Sequence, residues 1–212
     1  MRSPGTLRAM ARRAHFEDSG VRIDKLIVGP FENNAFVVRC TNTGEAVIID
    51  AANEHELLLD VSRATGVRRV LTTHGHWDHI QAVTALRNAG IDVGIAEADA
   101  AMLPSYDFLI PDDSVIEVGD LRFRTILNPG HTPGSTSFLL EDHPVLFTGD
   151  TLFPGGPGNT QSPEGDFPLI IESIDRRLFT LDPDLLVLPG HGLDTTVGNE
   201  RPHLQEWVDR GW

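Results

Sequence analysis

The residues with the greatest capacity for chemistry are histidines and aspartates set close together. Thr73-His74-Gly75-His76-Trp77-Asp78-His79 places four metal-binding side chains within six residues. His74 and His76, two apart on an extended segment, share a face; Asp78 and His79 open the next turn and can aim at a second point nearby. Further along, His131 lies in Pro129-Gly130-His131-Thr132-Pro133-Gly134-Ser135, Asp150 ends Phe147-Thr148-Gly149-Asp150, and His191 lies in Pro189-Gly190-His191-Gly192. A polar loop that happens to be rich in histidine would account for the first cluster alone. It does not account for three more candidates, each beside a glycine that permits a sharp turn. Five histidines and two aspartates exceed the four ligands of a tetrahedral zinc site and suit two metals sharing a carboxylate and a water. With imidazole, carboxylate and no thiolate nearby, the set favours zinc, iron or manganese.

These loops need a scaffold. Alternating apolar and polar residues predict strands over 21–28, 35–40 and 46–50, and 69–72 reads as a short buried strand followed by another over 93–96. Helices are expected over 53–64, capped by Asn53, and over 80–88, stopped by Gly90, with a short one over 97–102. The second half repeats the mixture: strands over 115–118, 121–128, 136–140, 145–148 and 185–188, and helices over 167–180 and 200–209. Each ligand candidate then follows a strand, as expected of a site carried by loops on a rigid frame. Two sheets packed face to face with helices outside is one economical arrangement, though composition does not single it out.

With the motifs laid out, the chain resembles the metallo-β-lactamase superfamily hydrolases, and most of all their glyoxalase II (hydroxyacylglutathione hydrolase)-like branch. The resemblance rests on the His-x-His-x-Asp-His signature at His74–His79, on the blocks around His131, Asp150 and His191, and on Asp50 at the end of Val47-Ile48-Ile49-Asp50. It implies an α/β (α+β) four-layer αββα sandwich of two mixed sheets. It also implies two divalent ions, zinc with iron or manganese as alternatives: His74, His76 and His131 at one, Asp78, His79 and His191 at the other, and Asp150 between. Asp50 would hold the signature loop by hydrogen bonds, and Asp78 would both bind metal and orient the nucleophile. The reaction implied is attack of a metal-bridging hydroxide on a carbonyl, here that of a small-molecule thioester of the hydroxyacyl-thiol type. A thiolate leaves without a general acid, and the motifs contain no obvious one.

The resemblance is incomplete in places. Where glyoxalase II proteins carry a Gly-Gly-Cys-Gly-Arg-like stretch, this chain reads Gly155-Gly156-Pro157-Gly158-Asn159-Thr160, and it ends 21 residues past His191, with room for one helix. Glutathione recognition is therefore left unsupported, and another thiol carrier, ester or lactone stays open. So does a persulfide dioxygenase with one iron on His74, His131 and Asp150. Lys25 is the only lysine and lies outside every motif, which speaks against a lysine clamp on an antibiotic. The Gly/Pro-rich stretch Phe153–Phe167 reads equally as a lid or as a plain connection. Trp77 is expected to pack under the signature loop.

Composition narrows the remaining roles. The 212 residues carry 17 basic and 31 acidic side chains, a formal charge of −14, which disfavours nucleic acid or an anionic membrane as partner. No apolar run is long enough to span a bilayer. The one cysteine, Cys40, lies in an alternating stretch and is expected in the core. Residues 1–20, with four arginines and no apolar core for a signal peptide, are expected to form a poorly ordered extension before a single domain over 21–212, in a cytoplasmic protein. His15, His55, His143 and His203 are expected at the surface or in packing.

Overall fold

The computed structural model describes residues 14–211. The first half builds β1 (Phe16–Asp18), β2 (Val21–Val28), β3 (Asn33–Cys40), β4 (Ala46–Ile49), α1 (His55–Thr65), β5 (Val67–Leu71), α2 (Trp77–Ile80), α3 (Val83–Asn88), β6 (Asp92–Ile95), a 3-10 turn (Glu97–Met102) and β7 (Phe108–Leu109). The second half adds β8 (Val115–Val118), β9 (Leu121–Leu127), β10 (Thr136–Leu140), β11 (Val145–Gly149), β12 (Leu152–Phe153), β13 (Gly156–Pro157), α4 (Phe167–Ser173), a π-helical turn (Ile174–Leu178), β14 (Leu186–Pro189), β15 (Thr195–Thr196), α5 (Val197–Glu200) and α6 (Leu204–Arg210).

Among the described residues, seven strands form one sheet in the order β1-β2-β3-β4-β5-β6-β7, and six form another, β15-β14-β11-β10-β9-β8. Both sheets are mixed: β4 to β7 run parallel, as do β11 and β14, while their other neighbours are antiparallel. The period-two alternation of each strand divides its side chains between two layers. Phe36 and Val38 of β3, Val47 and Ile49 of β4, and Phe123, Phe138 and Phe147 of the second sheet fill the space between the sheets. Val37 and Ile48 face the opposite way and pack with Leu58 and Val61 of α1 and Leu86 of α3. Leu146 and Val187 face outward from the second sheet onto Ile170 and Ile174, with Trp207 of α6. Three apolar layers between four layers of structure make the expected αββα sandwich.

The predicted strands occur with boundaries shifted by a few residues. Asn53 does not cap α1: Glu54 precedes it in the left-handed region (φ 49°), with no side-chain cap. Asn53 instead accepts the Glu54 N–H through Oδ1 (2.6 Å) and donates to Gln81 Oε1 (2.9 Å). The helix expected over 80–88 is broken, because the N–H groups of Gln81 and Ala82 bond to the carbonyls of Ala52 and Ala51 rather than to the preceding turn. The 167–180 helix ends in the π turn, and the helix expected over 200–209 forms over Leu204–Arg210, after a 3-10 turn at Arg201–His203 and the short α5, which Thr196 caps by accepting the Asn199 N–H at 3.1 Å. Of the extension expected over 1–20, residues 1–13 lie outside the described residues, while Phe16–Asp18 pairs with β2 as an edge strand. Cys40 is fully buried between the sheets, as expected. No described helix is long and apolar enough to cross a membrane.

Trp207 is the largest side chain in the outer layer of the second sheet, almost fully buried and with its ring centroid 5.9 Å from that of Phe179. Trp207→Ala is expected to lower the free energy of unfolding by about 3–5 kcal/mol, read as a lower urea midpoint with unchanged slope.

Candidate metal centre

β4, β5, β9, β11 and β14 all point the same way within their sheets, so the loops after them gather at one edge of the sandwich. Asp50 follows β4, the signature loop follows β5, His131 follows β9, Asp150 follows β11 and His191 follows β14. Backbone hydrogen bonds stitch the two sets of loops together: Thr136 N–H to the Thr73 carbonyl (2.8 Å), and Asn34 N–H to the Gly190 carbonyl (2.7 Å). Gly190 is obligatory here, since a Cβ would collide with Asp150 Oδ1 and His79 Cε1.

All seven ligand candidates are brought together. His74, His76 and His131 each offer a ring nitrogen within 4.8 Å of the others, and Asp78, His79 and His191 form a second such group. Asp150 stands between them: Oδ1 is 3.4 Å from His79 Nε2, and Oδ2 is 3.5 Å from His191 Nε2 and 3.7 Å from His131 Nε2. Asp50, His74 and His79 also lie within this range of each other, but Asp50 is already committed. Its carboxylate accepts the N–H and hydroxyl of Thr73, each at 2.7 Å, and faces His79 Nδ1 at 2.9 Å. It does so from the left-handed region (φ 61°), a conformation that aspartate tolerates and that functional sites tend to hold.

The outward nitrogens fix the tautomers. Carbonyl and carboxylate oxygens only accept, so His131 Nδ1 donates to the Asn159 carbonyl (2.7 Å), His191 Nδ1 to the Phe31 carbonyl (2.9 Å) and His79 Nδ1 to Asp50. Thr73 spends its proton on Asp50 and therefore accepts from His74 Nδ1 at 3.0 Å. Four rings thus turn Nε2 inward, and His76 turns Nδ1 inward, 2.8 Å from His131 Nε2. Within this cluster His74 Nε2 and Asp150 Oδ1 are buried with no hydrogen-bond partner. Buried polar atoms without partners are costly, and imidazole and carboxylate lone pairs facing each other across a few ångströms are what a divalent cation satisfies. The residues present therefore fit metal ions.

The electrostatics split the site. Burial, helped by neighbouring histidines, lowers the pKa of His74 and of His76 and keeps them neutral. Burial also opposes charge on His79, but Asp150 and Asp50 outweigh it and raise its pKa. Burial likewise works against ionised Asp78, yet hydrogen bonds with His191 and Asn33 and the charge of His79 hold its carboxyl far below the usual carboxylate range.

Some contributors are not foreshadowed by the sequence. Asn33 donates to Asp78 Oδ2 at 2.9 Å. Asp99, fully buried on the 3-10 turn, accepts the Gly75 N–H (2.8 Å), the Thr132 hydroxyl (2.6 Å) and the Gly134 N–H (2.7 Å), tying the signature loop to the His131 loop. Neither residue lies in a metal-binding pattern, and nothing in the local sequence marks either as part of the site. Trp77 does not pack under the loop. It is 58% exposed and meets Phe31 edge to face, with ring centroids 5.2 Å apart. Of the remaining histidines, His15 pairs with Asp194 at 2.6 Å and His203 with Glu206 at 3.1 Å, His143 lies 3.5 Å from Asp18, and His55 is exposed.

The family model of the metallo-beta-lactamase superfamily matches residues 28–191, and the chain belongs to that superfamily of metal-binding proteins. Hydroxyacylglutathione hydrolase GloC of Haemophilus influenzae is 32% identical over 203 residues, covering 85% of this chain and 95% of that one. The human mitochondrial persulfide dioxygenase ETHE1 is 34% identical over 170 residues, covering 74% and 64%. Among solved structures, the BLEG-1 B3 metallo-beta-lactamase superposes with a TM-score of 0.77 at 30% identity, covering 85% of this chain and 97% of that one.

Asp99→Asn places an amide where a carboxylate oxygen faces backbone N–H donors. The variant is expected to lose roughly 1–3 kcal/mol of stability and about 10–100-fold in metal affinity, measured by urea unfolding and by competition with a chelator.

Proposed function

We propose that the protein is a two-metal hydrolase of thioesters, with one ion on His74, His76 and His131, a second on Asp78, His79 and His191, and Asp150 between the two. The observation that carries this reading is the pairing of the two donor groups across Asp150, with four of the five rings locked in a metal-ready tautomer by outward hydrogen bonds. Zinc is the ion we favour, with iron or manganese able to use the same donors. Bound divalent ions lower the pKa of water toward ~7 and polarise a carbonyl. Asp78, ionised and steadied by Asn33, orients the attacking water as a hydrogen-bond acceptor; so acidic a carboxyl is not a proton store. For the same reason it cannot protonate a leaving group, which favours one that departs as an anion, and a thiolate does so readily. Resemblance to the Haemophilus GloC supports the thioester over an amide.

A second reading places a single iron on His74, His131 and Asp150 for oxidation of a persulfide, and the likeness to the human persulfide dioxygenase favours it. In this chain His76 Nδ1 and His131 Nε2 aim at one point, and the Asp78–His79–His191 group is complete, so two ions are the better fit.

Elemental mass spectrometry of protein purified without added metal is expected to give about two equivalents per chain, with thiol released from acyl-thioesters. One equivalent of iron together with oxygen uptake on a persulfide selects the second reading. Because protons compete for the imidazoles, metal retention is expected to fall as the pH is lowered. His76→Ala is expected to retain the fold, lose metal and cut hydrolysis more than ~100-fold, since outer partners of metal ligands alone are worth 10–100-fold; unchanged turnover would refute the two-metal mechanism.

A further inference from the structure

Eight large apolar side chains are exposed among the described residues, and four of them lie on or beside the loops that carry the candidate ligands: Ile27 (63%), Phe31 (54%), Trp77 (58%) and Leu193 (80%). Each is tied to the site by the chain itself. Trp77 lies between His76 and Asp78, Leu193 is two residues past His191, and the Phe31 carbonyl accepts from His191 Nδ1. Ile27 pairs in register with Asn34, whose N–H bonds the Gly190 carbonyl, and shares a strand face with Lys25, whose amine donates to the Gly192 carbonyl at 2.7 Å. Exposed apolar side chains gathered near a polar cluster, two of them (Phe31 and Trp77) in edge-to-face contact, mark a place where something apolar is bound.

The charges of the same loops are equally selective. Segments 29–34, 73–79, 128–135, 150–166 and 190–194 contain no lysine or arginine, whereas Glu32, Glu164, Asp166 and Asp194 lie in them. The one lysine is spent on Gly192 and Asp194, and the arginine that reaches the 150–166 segment, Arg210, approaches the Gly155 carbonyl. Among the described residues, these loops carry no lysine or arginine that would meet a carboxylate on the far part of a substrate.

On the thioester-hydrolase reading above, we infer that the mouth selects thioesters with an apolar acyl chain and an uncharged thiol moiety, not conjugates of an anionic thiol such as glutathione. The acyl chain lies against the Phe31–Trp77 pair and Leu193 while its carbonyl reaches the metal centre. Hydrolysis adds water across the C–S bond to give carboxylate, thiol and a proton. Phe31 and Trp77 set specificity by contact and take no part in the bond changes. Each buried methylene contributes about 3–4-fold to binding while the chain remains on the apolar surface.

The test compares acetyl, butyryl and octanoyl thioesters of N-acetylcysteamine, an uncharged thiol, with the matching octanoyl ester of glutathione, using the protein as purified. The expected result is a kcat/KM that rises at least ~30-fold from acetyl to octanoyl and an uncharged ester preferred over the glutathione ester at least tenfold. Trp77→Ala and Phe31→Ala are each expected to flatten the chain-length dependence by about tenfold. Binding is read separately with the inert thioether S-octyl-N-acetylcysteamine, through a change in tryptophan fluorescence that Trp77→Phe abolishes. A flat chain-length profile with the glutathione ester preferred overturns the inference. So does a concentration-dependent dimer that Trp77→Ala dissociates, since a second copy would then cover the patch. Thioether binding without turnover of any thioester instead refutes the hydrolase reading and leaves the apolar mouth standing.

Discussion

Five imidazoles and two carboxylates are pressed into a few ångströms at the edge of a sandwich whose interior is otherwise apolar. In the absence of a counter-charge that arrangement is unfavourable, because lone pairs face each other and some inward atoms have no partner. It is held together from outside. Asp50 grips Thr73 and His79, Asp99 grips the signature and His131 loops, and the carbonyls of Phe31 and Asn159 take the outward protons of His191 and His131. The two sheets can be read as the frame this demands: strands running the same way deliver the ligand loops to one edge, and three apolar layers keep that edge from relaxing.

The candidate ligands were legible in the sequence because few residue types bind metal and their chemistry forces them into short, repeated patterns beside glycines. The strands were legible because both sheets are sandwiched, so alternation records which layer each side chain enters. Other features depend on partners distant in the chain. The break between α2 and α3 follows from the carbonyls of Ala51 and Ala52, which no local pattern reveals. Asp99 sits in a short acidic turn that reads as surface, yet it is fully buried because three donors converge on it. Trp77 reads as core from its bulk, but its neighbours His76 and Asp78 must face inward, which turns the ring toward solvent.

The segment where the chain departs from the glyoxalase II pattern, Gly155–Thr160, nevertheless serves the site. Asn159 contributes its carbonyl, and Gly158 passes so close to the Asp150 backbone that a Cβ would overlap the Asp150 carbonyl. A carbonyl supplies the same hydrogen bond whatever side chain it carries. The segment can therefore change its side chains, and with them what it offers a substrate, while continuing to orient His131. The candidate metal centre and the surface of the surrounding loops are in this respect separable, one built from backbone and inward donors and the other from the outward side chains of the same loops.

Lys25 has a further consequence. Its side chain is only 11% exposed, with the amine bonded to the Gly192 carbonyl and Asp194 and lying 5.8 Å from the centroid of the Phe36 ring. An enclosed amine held by two hydrogen-bond acceptors is hard for a reagent to reach, and the sequence contains no other lysine. Activated acyl compounds, which slowly acylate the lysines of most proteins they meet, find no free side-chain amine on this one. If the protein handles thioesters, as proposed above, this composition spares it their chemical wear.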